Sequence, residues 1–543
     1  MTAVDFTAHA VRLLSRYFAT FPDSGASAGP SWVRPFDVAV PVSVAALVSE
    51  ALRLTDQVGA RGAARTAGSA PNGATPGPRL GLPAGGDDPL LRTWYGAALL
   101  IAAVRGIIAD GLLTNPRGFA AINDEEYLSW VQRHGGPPEL ADFSIVRSIY
   151  DIVFAFDGGD TTKPSFSAGT AVLFGGKTLF DYRGSIFWKM AAGMGDVVFA
   201  PLYEALRSRG VAFEFFHRVD AVHPSNDGRR IGSVTLGRQA RLAPGRHSYD
   251  PLVPYKGLPC FPSVPLTEQL AGADGIEGQP LEAHWCRWPD AERRVLRDGA
   301  DFDVVVFAIP PAMATHTCGE LMADRTEWHD MLTGLRTVAT QSFQLWLQED
   351  ELDLGWSHPG STLSAFQEPF NTWSSMPQLI DVEDWATDGR PRAVAYFCGP
   401  LDAAATNDPA EAASQRARVR HNAVSFLEDD VGCLLPGAVN DRGFRWELLC
   451  GADGLVGPDR FDSQYWSANV DPSDLYVQSL PGTDRIRLRS DESGYDNLYL
   501  AGDWTDSGLN AGCIEAAVLS GLQAANAVHG RPRAYRIAGY FMP

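Results

Sequence analysis

The chain has 543 residues, with 45 Lys and Arg against 65 Asp and Glu, a formal net charge of −20, and 45% hydrophobic residues. That length is enough for several buried cores, roughly two to four domains, and the acid excess argues against nucleic acid and anionic membrane surfaces as partners. Seven scattered cysteines without a C-x-x-C pair indicate neither a disulfide framework nor a metal site.

Residues 1–54 carry helical patterns, opening as an amphipathic helix and including a largely apolar run from Val44 to Leu54. No basic stretch followed by an apolar one opens the chain, so a cytoplasmic protein is expected. Residues 55–90 are rich in Gly, Ala and Pro and read as a loop or linker. Helical patterns resume from Leu91 to Asp157, with an N-cap expected at Asn123 or Asp124. The most apolar segment, Trp94 to Val104, is interrupted by Arg105 and is too short for a membrane span. It suits a buried helix, a chamber wall or a subunit interface.

From residue 188 a Gly-rich turn leads into a helix ending near Arg209, with Pro201 acceptable in its first turn. Gly210 stops that helix, and Val211 to Phe216 alternates as a strand. Asn226-Asp227-Gly228 marks a hairpin before a strand from Ile231 to Leu236. Residues 301–311, DFDVVVFAIPP, are β-formers closed by a double proline. From Ala312 to Ser479 the reading is α+β, with strands at Ser342 to Leu347 and Ala393 to Phe397. Asn497 to Gly502 fits a buried parallel strand. A polar, Gly-rich loop from Asp503 to Gly512 feeds a helix that runs to Val528 and stops at Gly530. Such a helix start offers free N–H groups and a partial positive charge, which suit a pyrophosphate or the anionic edge of a reduced flavin.

The wording of that unit, AGDWT followed by GCIEAAVLSGLQAA, closely resembles the C-terminal flavin signature of the FAD-dependent amine oxidase and phytoene desaturase superfamily. The resemblance covers about three quarters of the chain and is strongest in its last 80 residues. It implies FAD as cofactor and a binding set of Val219, Gly502, Asp503, Trp504, Asn510, Ala511, Gly512, Cys513 and Ile514. In such proteins the acid matching Asp503 lies by the ribityl–pyrophosphate portion. The stretch matching Asn510 to Ile514 lies by the isoalloxazine, and the backbone matching Val219 meets the adenine. Many amine oxidases of the superfamily also carry a lysine near the flavin, whereas the comparable strand here offers Thr340 and Gln341. Gln341, Lys256 and Trp504 are therefore the catalytic candidates, and the departure leans towards a dehydrogenase or desaturase. Trp346 and Trp466 are further lining candidates.

The superfamily's phosphate-binding half, a strand followed by G-x-G-x-x-G, is missing from this sequence; the nearest element, Gly193-Met194-Gly195, follows no β-type run. The expected fold is α/β plus α+β: an incomplete, discontinuous Rossmann-like FAD domain, a mixed substrate domain and a helical N-terminal region. Segments 188–236, 301–311 and 484–531 belong to the FAD domain, 237–300 is an insertion, 312–483 is the substrate domain, 1–187 is the helical cap, and 532–543 is a tail. Two functions follow. The chain is one subunit of a split FAD-dependent oxidoreductase, completed by a separately encoded G-x-G-x-x-G subunit and acting on a small molecule, an apolar isoprenoid or an amine. Alternatively, it is a non-catalytic scaffold that kept the fold and lost FAD.

Overall fold

The computed structural model describes residues 2–19, 89–451, 453–530 and 537. The apolar run Val44–Leu54, most of the 55–90 linker and nearly all of the 532–543 tail lie outside the described residues.

Helix α1 (Ala3–Ala19) buries Phe6, Ala10 and Leu14 at four-residue spacing. Helix α2 (Pro89–Ala109) is apolar nearly all round and accordingly runs through the middle of a helical layer, with Ala102, Val104 and Ile107 inaccessible. Helices α3 (Tyr127–Arg133), α4 (Ser144–Ile152) and α5 (Ala168–Phe180) complete that layer around Trp130, Phe166 and Val146. The N-cap of α3 is Glu126, whose carboxylate accepts from Ser129 N–H, and not Asn123 or Asp124. Asn123 instead spends its side chain on Thr170 and Asp484, tying the helical layer to the C-terminal segment.

After the short helix α6 (Ala200–Arg207), residues 211–215 form no strand; Phe213 and Phe215 pack on Tyr203 instead. Aromatic packing there outweighs the alternating pattern. Strand β1 (His217–Pro224) begins later and pairs with β2 (Ile231–Arg238), which pairs with β3 (Glu292–Arg297) in a three-stranded antiparallel sheet. That sheet therefore takes in 292–297 from the segment read as an insertion. The double-proline run yields β4 (Val305–Phe307) and helices α7 (Pro311–Thr317), α8 (Gly319–Asp324) and α9 (Thr326–Gly334).

The largest sheet is antiparallel and six-stranded. Its main order is β6 (Thr362–Ser364), β7 (Thr372–Ser375), β8 (Ala393–Leu401), β5 (Thr337–Leu347) and β9 (Tyr465–Asn469), and β10 (Tyr476–Val477) pairs with the start of β5. One face is packed by helix α10 (Pro409–Asp429) through Phe343, Phe397 and Phe426. Finally β11 (Leu498–Leu500) pairs in parallel with β4 and leads into helix α11 (Ile514–Val528). Among the described residues this parallel sheet has only those two strands, and no helix is long and apolar enough to cross a membrane.

Candidate functional site

The parallel pair positions the turn. Two residues beyond β11 comes Gly502, whose φ of 140° and lack of a side chain are both required, because a Cβ there would stand 2.3 Å from the Trp504 indole. Asp503 follows, with its main-chain oxygen accepting from Arg487 at 2.8 Å. Burial raises the Asp503 carboxyl, and the Arg487 guanidinium opposes that rise. The loop then closes on itself through Asn510, which adopts φ 53°. Its Oδ1 accepts from Ser507 and Gly508 N–H at 3.0 and 3.2 Å, and its Nδ2 donates to Asp506 at 3.0 Å.

Gly512 brings the chain back beside Asp503. A Cβ at Gly512 would lie 2.8 Å from the Val477 carbonyl and 3.8 Å from the Asp503 carboxylate. Cys513 then caps α11 from extended backbone with no side-chain cap to the helix, leaving the N–H groups of its first turn for another acceptor. The result is a thin-walled turn, an acid beside it and the positive end of a four-turn helix.

Facing this turn is the second face of the six-stranded sheet. Ser364, Thr372, Cys398, Ser342 and Ser467 lie opposite one another across five strands, and the next row runs Thr362, Ser374, Tyr396, Gln344 and Tyr465. Tyr396 and Cys398 are partly accessible, yet burial raises the phenol strongly and pushes the thiol up to about 12. Side chains that touch solvent and are still desolvated line a recess, not an outer surface. Tyr476 lies between the two halves: burial raises its phenol first, and the Cys398 thiol and Asp503 carboxylate add to the rise. Its ring packs on Phe154, with centroids 5.1 Å apart. At the far end of the hydroxyl row sits Asp151, 1% exposed, accepting from Asn371 at 2.9 Å and Ser364 at 3.5 Å. Burial, with Glu368 nearby, pushes its carboxyl up to about 7.

Gly502, Asp503, Ala511, Gly512, Cys513 and Ile514 therefore converge on one turn, whereas several other expected residues do something else. Trp504 is 1% exposed and packs under the parallel strands against Phe307, as a core aromatic. The Asn510 side chain staples its own loop. Gln341 points to the α10 face, donating to the Pro400 carbonyl and accepting from Asn422, both at 2.9 Å. Period-2 alternation puts its neighbour Ser342, not Gln341, on the recess face. Lys256 spends its ammonium on the carbonyls of Asp381 and Glu383, at the turn of a two-stranded ribbon. Trp346 donates to Glu383, and Trp466 stacks under Arg416. The Cys513 thiol is pushed up to about 12 by burial, the opposite of an activated thiolate. Val219 lies on β1, the outer strand of the three-stranded sheet.

Tyr476, Tyr396, Cys398, Asp151 and Arg487 were not singled out from the sequence. The alternation Tyr396, Cys398 along β8 was available as a signal, but which face of a sheet meets a turn is a tertiary fact.

Residues 451–529 match the family model for flavin containing amine oxidoreductases. No curated protein matches the chain. Among solved structures, an oxidoreductase from Methanosarcina mazei is similar at 10% identity and TM-score 0.43, covering 78% of this chain and 72% of that one. A putrescine oxidase variant with redesigned cofactor binding is similar at 11% identity and TM-score 0.41, covering 77% and 70%. Cyclohexylamine oxidase from Brevibacterium oxydans is similar at 13% identity and TM-score 0.41, covering 82% and 76%. At such scores these likenesses decide nothing about chemistry.

Proposed function

We propose that this protein, whose residues 451–529 match the model of the flavin containing amine oxidoreductases, is the substrate-bearing subunit of a split FAD-dependent oxidoreductase. A separate polypeptide carrying G-x-G-x-x-G supplies the phosphate half of the FAD site. The observation that carries the reading is the parallel sheet, which among the described residues has two strands. Two parallel strands alone are an unusual unit, since parallel sheets are normally larger and covered on both faces. Val304, just before β4, and Val306 within it lie on one face of the strand and are 41% and 50% exposed. Nearby elements present further unpartnered apolar side chains: Ile514, Val518 and Leu522 along α11, and Leu202 and Leu206 on α6. An added strand and its helix would cover such surfaces.

The residues at the turn fit a flavin. Gly512 allows close backbone approach, the first turn of α11 offers N–H groups, and Asp503 stands beside both. FAD, when bound, supplies the two-electron chemistry. This chain's part is to place the substrate. The aromatic rings of Tyr476, Tyr396 and Phe154 exclude water on one side, and the hydroxyl row of Ser342, Thr372 and Ser467 offers hydrogen bonds on the other. Such a recess suits a small organic substrate with both apolar and polar parts better than a purely apolar isoprenoid. The raised phenols and thiols stay protonated at neutral pH, so they donate hydrogen bonds and do not act as resting bases.

The test is the visible spectrum of the protein purified alone and after co-expression with adjacent reading frames. Flavin bands near roughly 370 and 450 nm are expected only after co-expression. Flavin in neither sample would leave the scaffold role, and flavin in the chain alone would remove the need for a second subunit.

A further inference from the structure

Residues 211–215, between helix α6 and strand β1, have their side chains arranged as in a strand. The Phe213 and Phe215 rings lie 6.4 Å apart and 18° from parallel, close to the roughly 6.7 Å that two residues of a strand span. Both pack on Tyr203 of α6, with centroids at 4.7 and 6.0 Å, and Phe215 also packs on Tyr249 at 5.5 Å. Glu214, between them, is taken by Arg294 of β3, with His217 at 3.4 Å. Side-chain contacts thus hold the segment in place.

Its main chain is unpaired. Among the described residues, no hydrogen bond uses the N–H groups of Ala212, Phe213, Glu214 and Phe215, or the carbonyls of Ala212, Phe213 and Glu214. Successive free donors and acceptors on a segment fixed by its side chains make a ready edge for another strand. The adjoining helix is uncovered too: Leu202 and Leu206 of α6 are 52% and 42% exposed, and Val211 is exposed at the start of the edge.

We propose that residues 211–215 are a docking edge for the second subunit, which adds a strand here by main-chain pairing. The assignment rests on the split-subunit reading and adds an edge distinct from β4. The occupant is the second subunit because α6 runs directly into this edge. A polypeptide that covers Leu202 and Leu206 therefore lies alongside Val211 and the free N–H groups that follow it. Pairing at this edge would also explain why the alternating pattern of 211–216 yields no ladder within the chain itself.

Hydrogen exchange at residue resolution tests this, on the isolated chain and on the complex obtained by co-expression with adjacent reading frames. In the complex, the N–H groups of 212–215 that face the added strand are expected to exchange roughly tenfold or more slowly than in the isolated chain. Successive strand N–H groups point to opposite edges, so either Phe213→Pro or Glu214→Pro removes a docking donor. That variant should bind the second subunit roughly tenfold more weakly than its control, Phe213→Ala or Glu214→Gln, which keeps the N–H. If the proline variants fail to fold, exchange in the wild type decides alone. A complex in which 212–215 exchange as fast as in the isolated chain, or one that tolerates both prolines, would overturn the docking edge and leave the split-subunit reading intact. No second polypeptide in the co-expressed sample would overturn both. Exchange that slows in the isolated chain as its concentration rises would make a second copy the occupant, and would overturn the proposal as well.

Discussion

Gly512 and Asp151 carry the sharpest consequences at the scale of single residues. A Cβ at Gly512 would sit 2.8 Å from the Val477 carbonyl, so Gly512→Ala must push the turn apart, at a cost of about 1–3 kcal/mol. We expect the variant to fold with a lower melting temperature and to carry little flavin in the co-expressed complex, read as absorbance near 450 nm (approximately, for flavins in general) per protein. Full flavin content would show that the turn does not approach the ring. Cys513→Ser should retain flavin that denaturation releases, because a thiol pushed up to about 12 is a poor nucleophile at neutral pH; flavin held through denaturation only in the wild type would contradict this. For Asp151, a folded value of about 7 stands above the ordinary 3.8, so the native state holds an extra proton between those values. Stability is therefore expected to fall as pH rises through that window. At roughly 1.4 kcal/mol per pH unit the loss is at most about 4 kcal/mol. Urea midpoints at acidic and neutral pH should show the decline in the wild type and a flatter profile in Asp151→Asn; equal slopes would mean the carboxyl is ionised throughout.

Among the elements, α11 and β4 set the question of a partner. Ala516, Leu519 and Ala524 bury one side of α11, while Val518 and Leu522 are 55% and 46% exposed. A helix covered on one side by its own chain and apolar on the other is amphipathic only if something else completes it. Val518→Asp with Leu522→Asp should leave the isolated fold within about 0.5 kcal/mol of the wild type, as exposed substitutions do, and should abolish co-purification of the second subunit. Unchanged co-purification would place the interface elsewhere. Strand β1 makes a related point about legibility. The alternating residues 211–216 read as a strand, but Phe213 and Phe215 are drawn onto Tyr203 and the ladder starts at His217.

On the scale of the whole molecule, the three largest described cores are a helical core, a core between the six-stranded sheet and α10, and a core beneath the parallel strands. The first two are closed by their own elements. Among the described residues, the third ends at an open strand edge, and α11 beside it shows an uncovered apolar face. Purified alone, the chain should therefore self-associate as concentration rises, seen as growth in mass by light scattering. Lysine at Val306, by blunting the edge, should reduce it. A wild type that remains a monomer throughout would argue that the edge is harmless as it stands.

The sequence by itself determined the flavin-type strand, loop and helix of 497–528, since Gly502, Asp503 and Gly512 act through local backbone geometry and a local helix end. It likewise determined two buried strands, because VVVFAIPP and NLYLAG are both continuous apolar runs; that they pair with each other in parallel is seen only in the structure. Only the tertiary structure decided that Trp504 is core, that Gln341 faces α10 and that Lys256 is a surface brace. It also decided that Tyr476, Tyr396 and Cys398 form the recess. The reason is physical: which face of a strand meets which neighbour depends on register and on contacts hundreds of residues apart, such as Ser167 with Leu480 and Asn123 with Asp484.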